Sequence, residues 1–183
     1  HDPLPDHYYE RKVEMKKLTS LLLLISIMLI PIAAISSEPV KIGVILAKSG
    51  VASNGNKTAL YGVRFAVDVL NQQNGILGKK VELIEFDNQS TALHSREVAR
   101  NAVEQGVVAV IGANWSSHSM AAAPVLQEAG IPMISPFSTN PAVTQIGDYI
   151  FRVCFIDSFQ GRIMAGFAAR DLGARKAAVL TNA

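Results

Sequence analysis

Residues 111–144 read IGANWSSHSMAAAPVLQEAGIPMISPFSTNPAVT and contain two predicted strands, each followed by a polar loop. A predicted strand ends at Ile111-Gly112 and is followed by a polar loop, Asn114–His118, that opens an Ala-rich helix. A second predicted strand, Met133–Ser135, is followed by a second polar loop, Phe137–Asn140. Two consecutive strands therefore end in hydroxyl-rich loops, which we expect at the same edge of one sheet.

In open parallel sheets, ligands bind at the carboxyl ends of the strands. Helix N-termini at that edge supply free N–H groups and the positive end of a dipole, which favour an anion such as a carboxylate. Ser, Thr and Asn are also common helix caps and turn formers, so Ser116 has a purely structural interpretation as a cap. Two such loops at neighbouring strand ends, one with Trp115 and the other with Phe137, favour ligand binding.

Along the rest of the chain, apolar runs that predict strands alternate with segments of helical periodicity. The predicted strands are Val40–Leu46, Lys80–Phe86, Val107–Ile111, Met133–Ser135, Tyr149–Val153 and Ala177–Leu180. The predicted helices run from about 57 to 73, from a capping segment at Asp87–Thr91 to about 105, from 117 to 129 and from 157 to 172. This alternation predicts an α/β fold, a three-layer Rossmann-like lobe built on a parallel sheet with right-handed crossovers.

Residues 15–37 have the plan of a secretory signal peptide. Met15-Lys16-Lys17 supplies the positive start, and an apolar run follows that is shorter than the roughly 20 residues of a membrane span. Small residues come next, with cleavage predicted after Ser36 or Ser37. Residues 1–14 precede Met15, and we interpret them as a non-native or translated upstream segment.

The composition excludes two classes of protein. The chain has 183 residues, of which 49% are hydrophobic and 17% charged, and its net charge is +2. This balance fits neither a disordered chain nor a nucleic-acid binder. The single cysteine, Cys154, excludes an intrachain disulfide and lies too far from the cleavage site to carry a lipid anchor. We expect Cys154 to pack as a small hydrophobic residue.

Enzyme motifs are weak in this sequence. Residues 50–58, GVASNGNKT, nearly match the phosphate-binding loop, but Asn56 intervenes between the second glycine and Lys57. A nucleotide-dependent Rossmann-like enzyme is therefore an alternative, and it would lose nucleotide binding when Lys57 is changed. A dinucleotide site is not indicated, because no strand is followed by the dinucleotide fingerprint. No nucleophile-elbow motif appears, so neither Ser116 nor Ser117 is predicted as a nucleophile.

Titratable side chains do not form an evident catalytic or metal site. His94 and His118 have no partner at metal-ligand spacing, and we interpret both as surface or loop histidines. Asp87 has two interpretations, a catalytic acid or a helix cap, of which the cap is favoured. The sequence therefore predicts neither a metal nor another cofactor.

From Val40 onward the sequence resembles the type I periplasmic binding proteins, in particular the branched-chain amino acid (Leu/Ile/Val) binding family of ABC importers. The resemblance rests on VKIGVILAKSG after an export signal, on NGILGKKVEL and on VIGANWSS, which lie in this order. It continues through AGIPMISPFSTNPAVT and FRVCFIDSFQG. It implies a first ligand-binding lobe at 38–155 and the start of a second lobe at 156–183.

The resemblance also implies a set of ligand-binding residues. The α-carboxylate of an amino acid would meet Ser116 and Thr139, and the Phe137 carbonyl with the Thr139 hydroxyl would face its ammonium group. Trp115 and Ser138 would line the pocket. In this family an aromatic residue in the loop after the first strand often covers an aliphatic ligand. The corresponding residues here, Ser53–Asn56, include no aromatic residue. The ligand could therefore also be another amino acid, an amide or a small polar molecule.

The resemblance implies an exported protein, periplasmic or secreted, that captures a small amino-acid-like ligand and delivers it to a membrane ABC permease. We expect a monomer that performs no bond chemistry. An alternative is an extracellular sensor domain of the same fold in a receptor or kinase, which a transmembrane segment and signalling domain downstream would indicate.

Overall fold

The computed structural model of the chain describes residues 38–180. The predicted upstream segment (1–14) and signal peptide (15–37) lie outside the described residues. Between residues 38 and 180, none of the helices combines the length and the hydropathy that a membrane span requires.

Strands and helices alternate as predicted. The five strands are β1 (Val40–Leu46), β2 (Val81–Asp87), β3 (Ala109–Gly112), β4 (Met133–Ser135) and β5 (Ile150–Arg152). The α-helices are α1 (Ser53–Gln72), α2 (Ala92–Glu104), α3 (Ser116–Glu128) and α4 (Asp157–Arg170), and a short 3₁₀ helix spans Pro141–Gln145. The predicted boundaries agree with these to within about four residues.

All five strands pair in parallel in one sheet, in the order β2-β1-β3-β4-β5. The register places Val44 beside Ile111, Ile111 beside Ile134, and Ile134 beside Phe151. The predicted parallel sheet is confirmed. Since β1 lies between β2 and β3, the chain first adds β2 at one edge and then crosses back to add β3, β4 and β5 on the other side of β1.

Alternate side chains of β1 face two different helical layers. Val44 and Leu46 pack with Leu60 of α1 on one face of the sheet. Ile45 lies on the opposite face with Val110, Met133 and the buried alanines of α2 and α3. The sheet thus lies between α1 on one side and the α2–α3 pair on the other, which is the predicted three-layer arrangement.

The segment that resembles a phosphate-binding loop is largely helical. Helix α1 begins at Ser53, so Gly55, Asn56 and Lys57 lie in its first turns. Asn56 is buried, accepts a hydrogen bond from the Ala47 N–H at 3.2 Å and donates to the Ala52 carbonyl at 2.7 Å. Because the segment is helical from Ser53 onward, it does not form the extended loop that wraps a phosphate, and the near match does not have the phosphate-loop conformation.

The C-terminal part departs from the prediction in one respect. Ala177–Leu180 does not form the predicted strand, and its side chains are exposed. A strand needs a neighbouring strand to satisfy its N–H and C=O groups, and none lies beside this segment within residues 38–180.

An unpredicted 3₁₀ helix begins at Pro141, where the Asn140 side chain accepts a hydrogen bond from Ala142 N–H.

Gly112, the last residue of β3, has a backbone conformation that requires glycine. Its φ is 136°, and a Cβ at this position would overlap the carbonyl oxygen of Ile45 on the neighbouring strand. We predict that Gly112→Ala lowers the free energy of unfolding by about 3 kcal/mol. Gly62→Ala is the control, since Gly62 lies in α1 with open space around it and the change should stabilise by roughly 0.5–1 kcal/mol. Urea denaturation measures both, and equal effects would contradict this account of Gly112.

Glu85 of β2 is the centre of an ion-pair group at the edge of the sheet. Its carboxylate bonds Arg64 at 2.6 and 2.8 Å and Lys48 at 2.8 Å. The hydrogen bonds from Arg64, aided by those from Lys48 and by both positive charges, outweigh the opposing effect of burial and lower the pKa of Glu85 to about 2. The charged carboxylate therefore favours the folded state.

A folded-state pKa below the unfolded value means that this contribution is complete above about pH 4.5 and is lost as the pH falls toward 2. We predict that Glu85→Gln lowers the free energy of unfolding at pH 6 and that the difference from wild type shrinks as the pH falls from 4.5 to 3. Glu82→Gln, which changes an exposed carboxylate on the same strand, is the control. A difference that stays constant across this range would exclude the proposed role of the Glu85 charge.

Candidate functional site

The two polar loops lie side by side because β3 and β4, the strands that precede them, are neighbours in the sheet. We call residues 113–115 the first polar loop and residues 136–140 the second polar loop. Both strands are parallel, so the loops leave the sheet at its carboxyl edge, as predicted. A hydrogen bond of 3.2 Å from Asn140 N–H to the Ser116 hydroxyl joins the second polar loop to the start of α3.

Three buried serines surround the main chain of Ala113 in the first polar loop. Ala113 N–H donates to the Ser119 hydroxyl at 3.1 Å, and the Ala113 carbonyl accepts from Ser135 at 2.6 Å. The carbonyl is also within 3.0 Å of the Ser119 hydroxyl and 3.1 Å of the Ser138 hydroxyl, and these two oxygens are 2.7 Å apart. We call these three residues the serine cluster; it connects β4, both polar loops and α3.

Ser138, which is predicted to line the pocket, makes its side-chain hydrogen bonds beneath the second polar loop. Its side chain is fully buried, and its hydroxyl bonds inside the serine cluster and to the Asn114 carbonyl at 3.3 Å. Its N–H donates to Ser135 at 3.0 Å. The Ser138 side chain therefore fixes the second polar loop from beneath, and its place in the pocket lining stays a prediction.

Arg152 of β5 holds the second polar loop from the other side. One guanidinium nitrogen donates to the carbonyls of Ser138 and Asn140 at 2.7 and 2.8 Å. The other donates to the Pro141 carbonyl at 3.0 Å and to the Thr144 hydroxyl at 2.8 Å. A planar group with five donors suits several carbonyls in one turn. Sequence reasoning missed this residue, and its only signal was an arginine within an otherwise apolar strand.

Helix α3 begins at Ser116 without a side-chain cap. Trp115 is the N-cap residue, and its carbonyl accepts the first helical hydrogen bonds, from His118 and Ser119 N–H, both at 3.0 Å. The interpretation of Ser116 as a cap is wrong, because its hydroxyl accepts from Asn140 instead. The N–H groups of Ser116 and Ser117, in the first turn of α3, lie at the positive end of the helix dipole, which favours an anion.

The remaining predicted site residues lie around this helix end. Trp115 and Phe137 expose 46% and 61% of their surface. Thr139 is half-buried, and its carbonyl accepts from Asp157 N–H at 2.9 Å, which ties the second polar loop to the start of α4. Exposed aromatic surface beside a helix N-terminus can cover the apolar part of a ligand whose carboxylate meets the helix.

Asp87, predicted as a helix cap, does not cap α2. Thr91 does so, accepting from His94 N–H at 3.1 Å. Asp87 instead orders the loop after β1, because its carboxylate accepts from the N–H groups of Lys48, Ser49 and Gln89 and from the Ser49 hydroxyl. Burial raises the pKa of Asp87, but these hydrogen bonds outweigh burial and the net pKa is lowered. Such a carboxylate is a poor proton donor, which argues against a catalytic acid.

The two central histidines have different environments. His94 lies on α2 with its ring 3.8 Å from Glu97, near the surface as predicted. The prediction for His118 is wrong, since it is only 4% exposed and lies in α3 beneath Trp115. Among residues 38–180, no cluster of three or more potential metal ligands occurs. Cys154 is half-buried, next to β5.

A cavity of about 360 Å³ lies between α2 and α3, away from the polar loops. It is lined by Arg96, Arg100, Val103, Glu104, Pro124, Val125, Glu128 and Ala129. None of the predicted site residues contributes to it. The candidate site at the carboxyl edge is thus a surface formed by two loops and a helix end.

The family of periplasmic binding proteins matches residues 39–183. The chain belongs to this family. It is 31% identical over 145 residues to the leucine-specific-binding protein of Salmonella typhimurium, an alignment that covers 79% of this chain and 39% of the relative. The relatives are binding proteins.

Two solved structures agree with this assignment. A leucine binding protein from Thermotoga maritima superposes with a TM-score of 0.68 at 41% identity, over 74% of this chain and 38% of its own. The branched-chain amino acid transporter substrate binding protein of Streptococcus pneumoniae, in complex with isoleucine, superposes with a TM-score of 0.71 at 35% identity, over 75% and 40%. The chain spans about two fifths of the length of these relatives.

We predict that Arg152→Lys lowers the free energy of unfolding by about 2 kcal/mol, because lysine keeps the charge but cannot serve four acceptors in one plane. Arg170→Lys is the matched control, since Arg170 is exposed on α4 and its hydrogen bond, to the Gly166 carbonyl, lies within its own helix. Urea denaturation compares the two. A variant at 152 as stable as the control would show that the second polar loop does not depend on Arg152.

Proposed function

We propose that this chain provides the first lobe of an exported solute-binding protein that captures a branched-chain amino acid or a similar small amino-acid or amide ligand and delivers it to an ABC permease. One observation carries the proposal: the uncapped N-terminus of α3, with Ser116, adjoins the second polar loop at the carboxyl edge of the sheet. The leucine-binding relatives support the ligand class.

In this proposal the ligand's carboxylate lies at the start of α3. The hydroxyl and N–H of Ser116 and the Thr139 side chain donate to it, and the helix dipole adds a favourable field. The Phe137 carbonyl and the Thr139 hydroxyl face the ammonium group, while Trp115 covers part of the ligand. Ser138 acts by holding Phe137 and Thr139 in place. Neutral donors and the helix end bind the charge, so no metal is required.

The open surface at the carboxyl edge fits a site that a second surface completes. We propose that a second lobe, beginning after residue 155, closes over the ligand by hinge bending. Closure follows from the ligand's higher affinity for the closed state, which requires contacts from both lobes. The proposed protein is a monomer that is exported after cleavage of the signal peptide and performs no bond chemistry.

The first experiment is the intact mass of the exported product isolated from its own host. The proposal predicts a product that starts after Ser36 or Ser37 and has about twice the mass of residues 38–183. A product with the mass of 38–183 alone would remove the transport role for this chain.

The ligand site is tested by calorimetry of the same product with L-leucine, L-isoleucine, L-valine and acetamide. We predict that Ser116→Ala and Thr139→Val each weaken amino-acid binding by about 10- to 100-fold, because each removes a hydrogen bond to a charged group. Ser117→Ala is the control, since the proposal uses no hydroxyl at that position. Equal affinities for wild type and both site variants would contradict the assigned roles.

A further inference from the structure

His118 connects the candidate site to a loop on the far side of β1. Its ring Nδ1 lies 3.3 Å from the side-chain nitrogen of Asn88, a fully buried residue that follows β2. Its ring also stacks on the indole of Trp115, with centroids 5.3 Å apart and planes inclined by 26°. His118 therefore contacts both the N-cap residue of α3 and the β2–α2 loop.

We propose that His118 is a positioning residue for Trp115: the neutral imidazole, fixed by Asn88, sets the orientation of the indole at the ligand-binding edge. The ligand part of this proposal rests on the proposed function, whereas the orientation of Trp115 does not. An aromatic side chain that is held in place before binding loses less conformational entropy when a ligand arrives.

The hydrogen bonds around Asn88 assign the protonation state of the ring. The side-chain oxygen of Asn88 accepts from Ser90 N–H at 3.1 Å, which leaves the amide nitrogen facing His118. An amide nitrogen only donates, so Nδ1 must accept and the ring proton sits on Nε2. A doubly protonated ring would place one donor against another and break the contact that fixes the imidazole.

The charged groups around His118 do not favour the imidazolium. Asp87, the last residue of β2, directly precedes the β2–α2 loop, but its carboxylate already accepts from the main chain of three residues. The charged residues of α2 that face α3 are Arg96, Arg100 and Glu104. They line the cavity that also includes Glu128, at the opposite end of α3 from the Trp115 end. Burial lowers the pKa of His118, and a hydrogen bond to the Ser90 main chain offsets this in part. The geometry and the lowered pKa thus agree on a neutral ring at pH 7.

Trp115 is the only tryptophan in the chain, so the tryptophan emission comes from the side chain that stacks on His118. A protonated imidazole stacked on indole quenches its emission. We predict that emission falls as the pH decreases, with a midpoint below 6.5, the ordinary value for histidine. His118→Gln should abolish this transition, whereas His94→Gln, which changes a near-surface histidine on α2, should retain it. The same transition in both variants, or none in wild type, would overturn the proposal.

Asn88→Asp provides a second variant of almost the same size. A carboxylate facing His118 stabilises the imidazolium, so the midpoint should move upward by about one pH unit or more. An unchanged midpoint would show that Asn88 does not fix the ring. This experiment needs no ligand and uses the full 183-residue chain.

The ligand arm uses calorimetry of the exported product with L-leucine at pH 7.5. We expect His118→Gln to bind about 5- to 10-fold more weakly than wild type and to give Trp115 greater accessibility to acrylamide. Wild-type affinity together with wild-type acrylamide quenching in this variant would refute the positioning role. If the wild-type product binds no amino acid, the proposed function fails, and the fluorescence titrations still decide the role of His118.

Discussion

The structure depends on the hydrogen bonds that three buried serines make around the Ala113 peptide. Ser119, Ser135 and Ser138 come from a helix, a strand and a loop, and each is fully buried. Because an unpaired buried carbonyl or hydroxyl costs about 1–3 kcal/mol, the cluster is stable only when all its members are in place. It therefore fixes the positions of β4, the polar loops and α3 relative to one another. As a result, the polar groups that these elements present at the carboxyl edge of the sheet have fixed positions.

Rigid support of this kind suits the proposed ligand-binding surface, which is made of loops. The serine cluster holds the second polar loop from below, Arg152 holds it through two of its carbonyls, and Asn140 joins it to Ser116. The helix end that faces outward then has N–H groups at fixed positions. Donors that are already ordered lose little entropy on binding, so a neutral site can hold a carboxylate without a metal or a basic side chain.

Much of the fold could be predicted from the sequence because it depends on local patterns. Continuous apolar runs marked the buried strands, and the bounds of β4 were predicted correctly. The polar loops were found because they follow strands directly. Arg152, the roles of Ser119 and Ser135, and the burial of His118 were missed, since their partners are distant in sequence, as His118 and Asn88 show. The strand predicted at Ala177–Leu180 failed because apolar composition alone does not supply a neighbouring strand.

In the proposed function, the start of α3 and the second polar loop together bind an amino-acid carboxylate. The most direct test is an NMR titration of the ¹⁵N-labelled chain with L-leucine. The account predicts weak binding, in the millimolar range, with shifts confined to the amides of Ser116, Ser117 and Thr139 and to the indole N–H of Trp115. Shifts located instead at the cavity between α2 and α3, or no shifts at saturating leucine, would contradict it.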